Sequence, residues 1–383
     1  MKARWDSLWL PAAVSAVALA LLGVFTLDRS PPIWDSVVYF HMASPGGLLS
    51  GGTAPFCFRI LAPALAKAIP LPLPAAFELM NQVSIWCAAM LIYHLLRRRG
   101  FSPGIALVGP CLAILSAFTK FVVWYRFGID QLALLGVAAV TWAIVEKRFR
   151  TAALLASVAV IAKESVLLLA PFLYGELPFT RDRPHPRIHR LVSTIVLWAA
   201  PVAVFIALRL RIRSTDGSGM IDTIWQWASI RLQSPKAAVE MLLALPKTFG
   251  AVSLVILSEY RSVWPMIRKE PHVFVTILAF IDAGIFGASD YERVYFLSLP
   301  LVLIVFLRLL VSMRPRPWKI AVFVAAQASL LDVFAKSDFM DLPRWFMVNT
   351  QWPDLALYGA KVTLWWGALY LASAVDLREG RAS

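Results

Sequence analysis

The stretch LVSTIVLWAAPVAVFIALRL, Leu191 to Leu210, decides the fold class. It has the length of a bilayer-spanning helix and carries a single charge, Arg209, near its end. The basic stretch Arg181 to Arg190 precedes it, and a polar loop holding Arg211, Arg213, Asp216, Trp225 and Trp227 follows. Similar apolar stretches recur from one end of the chain to the other. A backbone surrounded by lipid has to pair its polar groups internally, and no strand-like alternation is present, so the spans are helices.

Composition agrees. The 383 residues are 59% hydrophobic and only 16% charged, with a mean hydropathy of +0.69. A water-soluble surface needs about a quarter of the residues charged. The net charge of +14 does not indicate nucleic acid, because the basic residues form short clusters between apolar spans and not one patch. That distribution is the one expected of cytoplasmic loops. Cys57, Cys87 and Cys111 are too few for a disulfide framework and have no metal-binding spacing.

The spacing predicts an all-α, polytopic membrane protein with about twelve spans and both termini in the cytoplasm. Lys2 and Arg4 fix the amino terminus inside, and Leu8–Leu27 crosses outward as a retained span, not a cleaved signal peptide. A long loop, Asp28 to Pro74, follows with interfacial helices. The next spans are Ala75–Leu96, Gly104–Phe121, Gln131–Val145, Ala152–Ala162, Val166–Phe179 and Leu191–Leu210. Pro246–Trp264, His272–Gly287, Val294–Val311, Ile320–Phe334 and Leu355–Val375 complete the set. Residues 151–179 read either as two short spans or as one long tilted helix. Residues 1–383 form one membrane module, with no separate soluble domain.

The candidate chemistry lies in the outer loops. Asp35 and Tyr39 share a helix face, with His41 close behind; the stretch reads equally as an amphipathic surface helix with a solvated Asp. Arg59, among apolar neighbours, can snorkel to headgroups or clamp a phosphate. Lys163 and Glu164 interrupt an apolar run, where ionisable groups are costly. They read as a self-paired ion pair capping a hairpin, or as Lys163 near a lipid phosphate with Glu164 tuning it. Asp290, Glu292 and Arg293 lie at an outer helix end, where Arg293 can complete an anion site with Arg59 and Lys163 or serve as an interface anchor. Arg126 and Asp130, at the third outer turn, read the same two ways, with interface anchoring and local ion pairing the more weighty. Asp282 lies deep in a span, either paired with a neighbour or lining a cavity.

The order Trp34-Asp35-Ser36-x-x-Tyr39-x-x-x-Ala43, then Phe56-x-Phe58-Arg59-x-Leu61-x-Pro63, resembles the first outer loop of the GT-C superfamily of multi-spanning glycosyltransferases, mannosyltransferase-like members above all. The resemblance implies a polyprenyl-phosphate-linked sugar donor, an active site at the outer face and inverting transfer. Asp35 matches the first-loop carboxylate that acts as base or metal ligand, so Mg or Mn is the cofactor the resemblance admits. Asp35 stands alone where many members have paired acids. Arg59, Lys163 and Arg293 would hold the donor phosphate, supported by Tyr39, His41, Glu164, Asp290 and Glu292. The acceptor would be a glycan, lipid or protein. Membrane lipids, and not nucleic acid, are the other partners. The setting is the cell envelope, at a bacterial inner membrane. Two other readings of the same residues are a transporter or flippase of a lipid-linked glycan, and a non-catalytic membrane scaffold.

Overall fold

The computed structural model describes residues 9–25, 31–32, 35–49, 52–178, 186–212, 225, 229, 234–287, 291–313, 316–331 and 352–379. Among these residues every regular element is a helix. The first half comprises α1 (Trp9–Phe25), α2 (Asp35–Ala43), α3 (Leu61–Ala68), α4 (Leu73–Arg98), α5 (Pro103–Ile114), α6 (Ala117–Trp124), α7 (Asp130–Val145), α8 (Phe149–Ala162) and α9 (Ala170–Glu176). Then come α10 (Pro186–Arg211), α11 (Pro235–Phe249), α12 (Ala251–Ser258), α13 (Tyr260–Lys269), α14 (Pro271–Gly287), α15 (Tyr291–Tyr295), α16 (Leu299–Met313), α17 (Pro317–Leu331) and α18 (Trp352–Glu379). Short 3-10 turns, Phe56–Phe58, Glu164–Leu169 and Phe296–Ser298, join some of them.

Among the described residues, three helices are long and apolar enough to cross a membrane: Leu73–Arg98, Arg187–Arg211 and Glu292–Met313. The number rises to five if each of two bent pairs, α5 with α6 and α11 with α12, is one span. Helix α1 and helices α7, α8 and α14 are apolar but shorter. The Glu292–Met313 span is enclosed by protein over 83% of its apolar window, whereas α10 is only 17% enclosed and lies at the periphery.

Chain order and ion pairs give the bundle two distinct ends. Arg98 pairs with Glu146, Arg99 with Glu176 and Glu270, Lys147 with Glu176, and Arg308 with Glu270. These contacts gather the end of α4, the α7–α8 turn, the end of α9 and the α13–α14 turn into one basic end. At the opposite end, α2, the 125–130 turn, the α8–α9 break and the start of α15 meet. From α4 to α10 the chain therefore alternates in direction, with the bent pair α5 and α6 making one pass. Sequence signals fix their ends. Arg97 and Arg98 sit in the last turn of α4, where cations complement the exposed carbonyls, and Gly100 then turns left-handed at φ +89.

The breaks differ from the simple spans expected. Residues 104–121 bend after Leu115, where the Ser116 hydroxyl accepts a hydrogen bond from the Thr119 amide at 3.0 Å and starts a new helix. Residues 151–179 are neither two clean spans nor one tilted helix. Helix α8 stops at Lys163, whose backbone is extended, and a 3-10 turn leads into the short α9. The expected span Pro246–Trp264 is corrected most: the chain turns by 109° between α11 and α12. Gly250 makes that turn at φ +60 and ψ −139, a region closed to other residues. A Cβ there would lie 2.6 Å from the Gln327 side-chain oxygen, which accepts from the Ala251 amide at 2.7 Å. Gly250→Ala is expected to cost about 1–3 kcal/mol. Thermal unfolding in detergent checks it, and an unchanged melting temperature would contradict the strain.

A satellite core seats the first loop. Tyr39, Met42, Ala62, Ala66, Phe77 and Phe127 are buried together. The edge-on Phe40–Phe127 and Phe77–Phe127 ring pairs lock α2 and α4 to the 125–130 turn.

Candidate functional site

Asp35 opens α2, so its carboxylate sits in the first turn, where the helix favours negative charge. Both its oxygens accept from Arg293, Oδ1 from Nη1 at 3.1 Å and Oδ2 from Nη2 at 2.8 Å. Tyr125 donates its hydroxyl to Asp35 Oδ1 and accepts from the Ser36 amide at 2.9 Å. Arg293 also donates from Nε to Asp130 Oδ2 at 2.8 Å. The other Asp130 oxygen takes the Lys163 ammonium at 2.7 Å. One guanidinium thus bridges two carboxylates, and the chain Tyr125–Asp35–Arg293–Asp130–Lys163 is buried throughout.

Arg59 extends the cluster sideways. It grips Glu164 with two donors, Nε to Oε2 at 3.1 Å and Nη2 to Oε1 at 2.6 Å, and donates from Nη1 to the Tyr39 hydroxyl at 3.2 Å. Asp35, Asp130 and Glu164 are matched by Arg293, Lys163 and Arg59, so the cluster is electrically balanced. Such pairing is what makes burying these charges tolerable.

The geometry brings together Asp35, Tyr39, Arg59, Lys163, Glu164 and Arg293 of the sequence candidates. Glu292 turns aside to Lys247 at 3.5 Å, and His41 is exposed. Asp290 lies outside the described residues, as does Trp227. Asp282 is exposed on α14 and takes part in no ion pair among the described residues. Two readings are corrected. Lys163 and Glu164 do not pair with each other: the extended backbone at Lys163 sends the ammonium to Asp130 and the next carboxylate to Arg59. Asp130 is no interface anchor, being wholly buried at the centre of the network.

The chain matches no known family model and no curated protein.

Tyr125 and Arg209 are the further residues of this end. Asn81 shapes the turn that presents Tyr125 and Asp130, donating to the Arg126 carbonyl at 2.6 Å and the Gly128 carbonyl at 3.2 Å. Arg209, near the end of α10, lies over the Phe205 ring at 3.8 Å and the Phe58 ring at 4.7 Å. It belongs to no ion pair among the described residues, in contrast to Arg59, Lys163 and Arg293. Glu164 keeps 26% of its side chain exposed, against 4% for Asp35 and none for Asp130. The Glu164 side is therefore the least buried flank of the network.

Burial acting alone would raise the Asp35 carboxyl, but the Arg293 charge and hydrogen bonds, with Tyr125, lower it to about 2. A carboxyl lowered on folding adds stability that is complete above its ordinary value, near 3.8, and is lost as pH falls towards 2. No titration of Asp35 should therefore appear in the unliganded protein between pH 5 and 8. Infrared difference spectra of wild type against Asp35→Asn check this, and a carboxyl band titrating in that window would contradict the pairing.

A divalent ion held by Asp35 does not fit. Both carboxylate oxygens are taken by Arg293, and the guanidinium fills the space between Asp35 and the neighbouring Asp130. No three His, Cys, Asp or Glu side chains gather into a metal site among the described residues.

Proposed function

We propose that the chain is an inverting membrane glycosyltransferase that moves a sugar from a polyprenyl-phosphate-linked donor to an acceptor hydroxyl at the outer face of a bacterial inner membrane. The first-loop resemblance to the GT-C superfamily supports this reading, and so does one observation: Asp35, Arg59, Lys163 and Arg293, far apart in sequence, meet at one end of the bundle. In this reading the shorter apolar helices also cross the bilayer, giving the twelve-span plan with both termini cytoplasmic. The network end faces outward and the basic end inward.

The acceptor oxygen attacks the anomeric carbon while the bond from that carbon to the donor phosphate oxygen breaks, and the phosphate leaves with the bonding electrons. Asp35 takes the acceptor proton. With its carboxyl held near 2 by Arg293, Asp35 is a weak base. The donor phosphate changes that: it competes for the guanidinium, and as Arg293 moves towards the leaving group the carboxylate regains basicity. Cationic groups then face the charge that develops on the phosphate, which is where they lower the barrier most. Arg209 and Arg59, on the least buried flank, meet the phosphate first, and the Phe58 and Phe205 faces hold Arg209 ready.

Purified protein in nanodiscs, supplied with radiolabelled polyprenyl-phosphate hexoses and an envelope extract as acceptor, should form a labelled product and release polyprenyl phosphate. Movement of the lipid between leaflets without a new glycosidic bond would instead establish a flippase. Arg209→Gln should weaken donor binding about 10- to 100-fold, the worth of a charge-assisted hydrogen bond, with turnover at saturation little changed. Unaltered donor affinity would remove Arg209 from the phosphate site.

A further inference from the structure

The opposite end of the molecule carries a second site. Between the start of α8 and the first turns of α10 lies a cavity of about 740 Å³. Its rim is formed by Lys147, Arg148, Arg150, His189 and Arg190, and no acidic side chain lines it among the described residues. Its wall is apolar and continues up α10 through Val192 and Val196, which are 51% and 67% exposed. That helix is the least enclosed of the candidate spans. Helix α8 is about 21 Å long at 1.5 Å per residue, so the cavity and Lys163 occupy its two ends.

Cations gather near two helix starts at this cavity. Arg148 and Arg150 stand at the amino-terminal end of α8, and His189 and Arg190 stand at that of α10. Helix amino termini repel cations and attract anions. Arg148 lies over the Trp142 ring at 5.7 Å and Lys147 is held by Glu176 at 2.7 Å, so the rim is preformed. An anion seated there would be met by the start of α8 and by the rim cations together. The apolar wall rising along α10 asks for a hydrocarbon chain attached to that anion.

We infer that this cavity is a specific site for an anionic phospholipid. Its phosphate sits within the basic rim and its acyl chain lies along the Val192–Val196 face. The site is independent of the sugar-transfer reading, because it involves none of the residues at the network end.

The test uses the full chain in neutral detergent, titrated with phosphatidylglycerol, phosphatidylcholine or inorganic phosphate and read by native mass spectrometry and lipid-induced thermal stabilisation. Wild type should retain phosphatidylglycerol in preference to phosphatidylcholine. Arg148→Gln/Arg150→Gln should lose at least about tenfold in phosphatidylglycerol affinity, given about 1 kcal/mol for each basic residue near an anionic lipid. Arg268→Gln/Lys269→Gln removes the same charge from the end of α13 and should leave affinity unchanged. Equal losses in both variants would reduce the effect to overall charge and overturn the site. Equal retention of phosphatidylcholine would overturn the anion preference, and saturation by inorganic phosphate at the same concentration would overturn the lipid. Should the double variant fold poorly, Arg150→Gln alone, at an exposed position, carries the same comparison.

Discussion

Arg293→Met should destabilise the protein by about 3–5 kcal/mol, the cost of leaving a buried charge without its partner. The methionine approximates the length of the arginine stem but supplies no donor. Asp35 loses two hydrogen bonds and Asp130 loses one, and the two carboxylates then share a buried site without the cation between them. Lys163 still neutralises Asp130, so the stranded charge belongs to Asp35. The pH dependence gives the sign. In wild type, acidification towards pH 2 removes the Asp35 contribution. In the variant the carboxyl is raised by burial and by Asp130, protonation relieves the repulsion, and the deficit narrows as pH falls from 7 to 5. Arg293→Met/Asp35→Asn should recover part of the loss. Melting temperatures of the two variants in nanodiscs, measured at both pH values, decide it. A wild-type melting temperature for Arg293→Met would show that the bridge contributes nothing.

If the proposed transfer reaction holds, Asp35→Asn should lower turnover by about 10²–10⁴-fold, the contribution of a positioned general base. The amide oxygen can still accept from Tyr125, and α2 keeps its packing through Tyr39 and Met42. Donor affinity should therefore stay within a small factor of wild type, because Arg59 and Arg209 on the least buried flank are untouched. Single-turnover transfer of labelled sugar separates the two quantities. Full turnover by the variant would remove Asp35 as the base. Loss of donor binding alone would make it a positioning residue that acts through Arg293.

The all-helical class was legible because lipid imposes simple rules, and among the described residues three to five of the expected twelve spans are long and apolar enough to cross. Apolar runs had to be helices, and basic clusters marked one set of loops. Two of those clusters, at the end of α4 and at the α7–α8 turn, meet in space at Glu146 and Glu176. The breaks were harder to read. Gly250 within an apolar run looks like any tolerated helical glycine, and its backbone angle is set by Gln327, distant in sequence. The same holds for the site. Asp35, Arg59, Lys163 and Arg293 stood out as charges beside apolar stretches, but their partners are matters of fold. Glu164 reads as the partner of adjacent Lys163, yet it reaches a residue in the first loop. Asp130 did give one signal, an acid at the first position of an apolar helix just after a glycine turn. Arg209 was hidden as the lone charge in a hydrophobic span.

The balance of charge at the network end has a consequence for ligand stoichiometry. On the proposed reading a phosphodiester donor would bring one negative charge to a cluster whose own charges cancel, and one more positive charge would offset it. Arg209, already braced on two aromatic faces beside Glu164, supplies it without a proton from solvent. Donor association should then show the same calorimetric heat in buffers of different ionisation enthalpy. Removing Arg209 should weaken that association and make it depend more on solution cations.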